Sequence, residues 1–203
     1  MQLDTSSSWI LNLRIANPPP NLLAKYTRKE QDFFYDYASF LLRIIQNPYV
    51  NTRLRHIVAI ENIPLYRPID VRIMVFPART LPGKSNHVLH GSYNQTFAQI
   101  SIYPLKIPKK WIRHEGQMLF RTRFDLLSNF ARKTVCEAAI TCLATLIHEF
   151  LHVKFENKGY NYYAEEAIVR KLEDHYMRHW GDELDESIAT MLADGMPSPS
   201  VFC

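Results

Sequence analysis

The chain has 203 residues, 47% of them hydrophobic and 12% aromatic, with a net charge of +4. That is the composition of one globular domain that can bury a core; it excludes a disordered chain, and the mildly basic charge does not by itself argue for nucleic acid. Three cysteines, Cys136, Cys142 and Cys203, form no CxxC pair and exclude a disulfide framework, which fits a reducing, cytoplasmic compartment. The apolar run Trp9–Ile15 is broken by Asn12 and Arg14, so no secretory signal is legible. The longest apolar stretch, Ala138–Val153, carries two His and a Glu and reads as no membrane span.

In chain order, residues 1–26, with Ser6-Ser7-Ser8 and Pro18-Pro19-Pro20, read as an extended N-terminal arm. Thr27-Arg28-Lys29-Glu30 is a capping box, and Phe33, Phe34, Tyr37, Leu41, Ile44 and Ile45 recur at helical spacing until Asn47-Pro48. Val71–Phe76 reads as a strand, Thr80–Asn86 as a loop and Gly91–Gln95 as a turn. Phe97–Tyr103 alternates like a second strand, stopped by Pro104. Eight Lys and Arg stand against Glu115 and Asp125 between Lys106 and Lys133, with Trp111, Phe120, Phe124 and Phe130 interleaved. A long helix is expected from about Thr134 to Lys158, with Gly159 as its cap. A second helix starts near Asn161 or Tyr162 and runs towards Trp180, and a short one covers Ser187–Ala193. The domain is expected to span 27–195, with 196–203 a flexible tail.

Chemistry concentrates at His148-Glu149-Phe150-Leu151-His152. Residues four apart on a helix share a face, so His148 and His152 can aim nitrogens at one Zn2+ ion, one per chain. Glu149, one step around the helix, is placed beside the metal as a base for a zinc-bound water. A third ligand is expected from the next helix. If the chain folds back at Lys158-Gly159, both Glu165 and Glu166 come within reach of His152. Ala164, Ile168, Val169, Leu172 and Tyr176 form an apolar arc that contains Glu165, whereas Glu166 falls opposite with Arg170 and Glu173. The periodicity therefore favours Glu165 as third ligand, with Glu166 as the alternative. His175 also lies on the apolar arc, about 15 Å along a helix from Glu165.

The segment Leu146–His152 followed by Ala164-Glu165-Glu166-Ala167-Ile168-Val169 resembles compact HExxH zinc metallopeptidases of the gluzincin type, such as small phage and archaeal HExxH proteins. The order of elements is similar to that of SprT-like proteases. The resemblance implies an α+β, zincin-like fold, with a small, mostly antiparallel sheet packed on a metal-bearing helix and a following Glu-bearing helix. It implies zinc-dependent hydrolysis of peptide bonds in a peptide or protein substrate. The strand with Ile100, Ser101, Ile102 and Tyr103 would be the edge strand that receives that substrate, and His175 and Tyr163 are candidate transition-state donors. Thermolysin-like enzymes carry Glu-Ala-Ile at their ligand, which matches Glu166-Ala167-Ile168 and keeps the alternative open. The competing reading is a catalytically inactive zinc-binding interaction or regulatory protein that contacts nucleic acid through residues 106–133.

Overall fold

The computed structural model describes residues 9–77, 90–107, 119–156 and 158–193, with backbone alone over most of 180–193. The expected loop 80–86, the middle of the basic stretch and the C-terminal tail lie outside the described residues.

Leu11–Ala16 forms β1, and Pro20–Leu23 forms the one-turn helix α1. The described part of the segment expected to be an extended arm therefore supplies a strand and a helical turn to the domain. Asn12 and Arg14, which interrupt the apolar run, are the exposed positions of a strand whose Leu11 is buried. Helix α2, Arg28–Ile45, opens on the expected box: the Thr27 side chain accepts from Glu30 N–H, while the Glu30 carboxylate accepts from Thr27 N–H at 2.9 Å. The Asn47-Pro48 stop is also a start. Asn47 Oδ1 accepts from Tyr49 N–H at 2.8 Å, Pro48 takes the first helical position, and α3 runs Pro48–Glu61.

Strands β2 (Ile69–Met74), β3 (Gly91–Asn94) and β4 (Gln99–Ile102) complete a sheet of order β1-β2-β4-β3. β1 pairs with β2 and β2 with β4 in parallel, and only β3–β4 is antiparallel. The fold is α+β with a small, open, mixed sheet, not a mostly antiparallel one. The helices between β1 and β2 form the crossover that a parallel pair requires. Gly91–Asn94, expected to be a turn, is, with β1, one of the two edge strands. It joins β4 through a 3-10 turn, Gln95–Phe97, and Ala98 in the left-handed region at φ 47°. The strand carrying Ile100, Ser101 and Ile102 is therefore interior, paired on both sides, and is not the edge.

Helix α4 runs Asn129–Leu151, capped by the Ser128 hydroxyl, and continues as a 3-10 turn over His152–Phe155. Gly159 at φ 69° turns the chain. Helix α5 then runs without a break over Tyr162–Ala193, so the separate last helix is absent. α4 is apolar on nearly every side because it lies between the sheet and the other helices. It is long and apolar enough to cross a membrane by length and composition, yet 61% of its most apolar window is buried inside the protein, as in a core helix.

The core joins β2 and β4 to α2 and α4 through Phe33, Tyr37, Phe40 and Phe120. Phe120 stacks on Tyr37 with centroids 4.2 Å apart, and the Tyr37 hydroxyl accepts from Leu105 N–H at 3.2 Å. Each such ring contributes about 1.5–3 kcal/mol by burial. This packing fixes α4 against the sheet and so fixes the height of its last turn.

Candidate metal centre

The last turn of α4 and the 3-10 turn after it present His148 and His152 to α5. Their Nε2 atoms stand 3.4 Å apart, and Glu166 Oε2 lies 3.6 Å from each. Three donors bound at about 2.0–2.1 Å to one tetrahedral ion stand about 3.3–3.4 Å from each other, so this triangle fits a small divalent cation. His148, His152 and Glu166 are the one such three-donor group among the described residues.

Behind each imidazole is a second carboxylate. His148 Nδ1 lies 2.8 Å from Glu173 Oε2, and His152 Nδ1 lies 2.6 Å from Glu165 Oε1. A carboxylate only accepts, so each Nδ1 carries the proton and each Nε2 keeps its lone pair for the centre of the triangle. Arg170 Nε donates to Glu166 Oε1 at 2.8 Å, which leaves Oε2 towards the histidines.

Of the two expected third donors, the alternative is the one that joins this group. Glu165 does not enter the triangle; it orients His152 from behind, and Glu166 faces both rings. The reason lies in how α5 meets α4. Val169 and Tyr176 are buried, and Glu166 and Glu173 stand three residues before each of them, on the same inward stripe. The apolar arc alone places Glu166 and Glu173 in solvent, although Val169 and Tyr176 belong to it.

Glu149 is 7% exposed and lies on the side of α4 that meets β3. Burial raises its pKa, His148 opposes this, Glu166 and Glu173 add to it, and the result is about 7. Burial would lower His148, but its hydrogen bond to Glu173 and the charges of Glu149 and Glu166 hold it above the usual imidazole range. Four carboxylates around two imidazoles attract positive charge, which is what a cation would supply.

Strand β3 comes against this helix with no room for a side chain at Gly91. A Cβ there would stand 2.4 Å from Thr145 Cγ2 and 2.7 Å from Glu149 Cγ and Oε1. Gly91 was legible only as a turn residue. Its role is close backbone approach, a use of glycine that sequence spacing does not distinguish from a turn. Below the site, Glu61 at the end of α3 accepts from Lys154 Nζ and from the Tyr176 hydroxyl, both at 2.5 Å, and so ties α3 to α4 and α5. Burial would raise the Glu61 pKa, but these two donors outweigh it and hold it below the usual carboxylate range.

Comparison with protein-family models, with curated proteins and with solved structures found no match.

The remaining expected site residues do not gather here. His175 packs its ring on His179 at 4.6 Å and lines an open hollow with Lys171 and Arg178. Tyr163 is exposed and meets Tyr162. Ile100 and Ile102 are fully buried, and Tyr103 N–H donates to His90 O. Within the described part of the basic stretch, Arg121 pairs with Asp36 at 2.6 Å, Arg123 with Asp125, and Arg132 donates to the carbonyls of Phe124 and Asp125. Two of those charges, Arg121 and Arg123, are balanced by carboxylates inside the chain.

Proposed function

We propose that this chain is a zinc-dependent peptidase with a zincin-like arrangement, in which His148, His152 and Glu166 hold the ion and Glu149 is the general base. One observation carries the reading: three donors converge within 3.6 Å, and a buried carboxylate with a pKa near neutrality lies one residue from the first of them. The ion would polarise a peptide carbonyl and lower the pKa of water.

The chain's own groups supply the rest. Glu149, poised near pH 7, takes a proton from water at the mouth of the site and returns it to the departing amine. Glu165 and Glu173 keep both imidazoles in one tautomer and one orientation. β3, whose outer edge is open among the described residues, runs along the Glu149 side of α4 and offers backbone groups to an extended peptide. The two described free cysteines, Cys136 and Cys142, suit action in a reducing, intracellular compartment.

The test is metal content together with hydrolysis of an unfolded protein such as reduced, alkylated lysozyme. The purified chain is expected to hold one zinc and to cleave the substrate. Glu149→Gln is expected to keep the zinc and lose at least about 100-fold in rate, the contribution typical of a general base. Full activity in Glu149→Gln, or a chain that takes up no zinc, overturns the reading. A chain that binds zinc and cleaves nothing is the inert metal-binding protein of the competing interpretation.

A further inference from the structure

Strands β1, β2 and β4 are parallel, so their first residues lie at one end of the sheet. Trp9, Tyr66 and Phe97 stand just before those three strands, and all are exposed, Tyr66 to 95%. The connection between α4 and α5 reaches the same end, because Glu156 feels the charge of Arg67 and Lys154 bonds Glu61. That connection and the first turn of α5 carry Tyr160, Tyr162 and Tyr163, exposed as well, and Ile60 lies next to Glu61. Seven of the nine exposed large hydrophobic side chains among the described residues therefore share one end of the molecule. The other two, Leu126 and Phe130, lie towards the opposite end, where Phe130 lines a hollow with Leu105 and Ile107 beyond the last residue of β4.

Scattered exposed apolar residues need no explanation, but a group gathered on one surface marks an interaction site. We propose that this aromatic end is a docking surface for an extended, uncharged, apolar segment of a protein, and that it delivers that segment to the metal centre. The proposal rests on the peptidase reading for its second half. Tyr160, Tyr162 and Tyr163 fall within the stretch of chain between His152 and Glu166, so whatever sits on them is next to the ligands.

The charge balance selects the occupant. Lys154 is neutralised by Glu61, Arg67 lies near Glu156, and Lys158 lies over the Phe155 ring. Of these three cations Lys158 alone has no carboxylate beside it among the described residues, which is too little positive charge to hold the phosphates of a nucleic acid or of anionic lipid headgroups. Tyr and Trp present a rigid apolar body with a polar rim, which suits apolar side chains on a hydrogen-bonding backbone.

The experiment uses the full chain carrying Glu149→Gln, so that bound peptide is not cut. The probe is a dye-labelled, uncharged peptide rich in Leu and Phe, read by fluorescence anisotropy. Adding Tyr66→Ser, Phe97→Ser and Tyr162→Ser together is expected to weaken binding at least about tenfold. Leu126→Ser with Phe130→Ser is expected to change it less than about twofold, since those rings lie elsewhere. Circular dichroism and zinc content confirm that each variant is folded, and the single change Tyr66→Ser, at a fully solvated side chain, still weakens binding if the triple variant unfolds. No binding by the parent, equal binding by the triple variant, or equal loss in the Leu126/Phe130 variant overturns the proposal. So does aromatic-dependent binding of single-stranded DNA or phosphatidylserine vesicles in place of the peptide. Peptide binding that depends on the aromatic end, in a protein whose wild type cleaves nothing, leaves the docking surface standing and removes the peptidase reading.

Discussion

Glu165 and Glu166 are adjacent in the chain, yet their carboxylates reach opposite sides of the same imidazole. Glu165 meets Nδ1 of His152 at 2.6 Å, whereas Glu166 lies 3.6 Å from Nε2. Their removal should therefore differ in kind. Glu166→Gln deletes a charged donor and is expected to weaken zinc binding by at least about 100-fold. Glu165→Gln loosens only the orientation of a ring that still binds, and is expected to weaken it by about 10-fold. Competition against a chromogenic chelator measures both, and a larger loss for Glu165→Gln reverses the assignment. At this scale the sequence shows His148, Glu149 and His152 in full, because i and i+4 fix their common face without any tertiary knowledge. The choice between the two glutamates is not legible, since it depends on how α5 is rotated about its axis against α4. Val169 and Tyr176 set that rotation through long-range packing.

Among elements, the contact between β3 and α4 is the most demanding, because there is backbone where a side chain would otherwise go. With Gly91→Ala, the methyl carbon would overlap Thr145 Cγ2 at 2.4 Å and the Glu149 side chain at 2.7 Å, both shorter than any normal carbon contact. Thr145 and Glu149 are both buried, so neither has open space to move into. Overpacking of this kind costs about 1–3 kcal/mol. It is expected to lower hydrolysis more than zinc affinity, since the displaced group is the proposed base and not a proposed ligand. Adding Thr145→Ser removes the Cγ2 atom and should restore part of the stability but little of the activity, because the Glu149 contact remains. Chemical denaturation and rate measurements on both variants test this; full activity in Gly91→Ala shows that β3 does not constrain Glu149. Local signals located α2, by its capping box, and the segment of β4. They failed for β1, where polar residues at alternate positions resemble an interruption, and for β3, where Gly91-Ser92-Tyr93-Asn94 has turn composition. They also could not order the strands, because which strand lies at the edge is decided by the crossovers.

For the whole molecule, the candidate centre adds to a helix pair already joined by packing at Val169 and Tyr176, by the bonds from Glu165 and Glu173 to the two imidazoles, and by the Glu61 bonds at its base. An ion bound to His148 and His152 of the α4 end and to Glu166 of α5 fixes both, and an ion bound only to the folded chain stabilises it by about 4 kcal/mol at a thousand times its dissociation constant. For a chain of this size that corresponds to a rise in melting temperature of about 8–16 °C. The size of that rise should depend on pH in a defined direction. The ion and a proton compete for His148, whose pKa is raised because Glu173, Glu149 and Glu166 outweigh its burial. Above that raised value the proton is already gone and the full effect is present. As pH falls through it, the ion must displace a proton, affinity drops, and the rise in melting temperature shrinks. Calorimetric scans with zinc and with a chelator, from pH 8 down to pH 5, measure the effect. A zinc-induced shift that stays constant over that range, or that survives Glu166→Gln with His148→Ala, places the ion somewhere other than between α4 and α5.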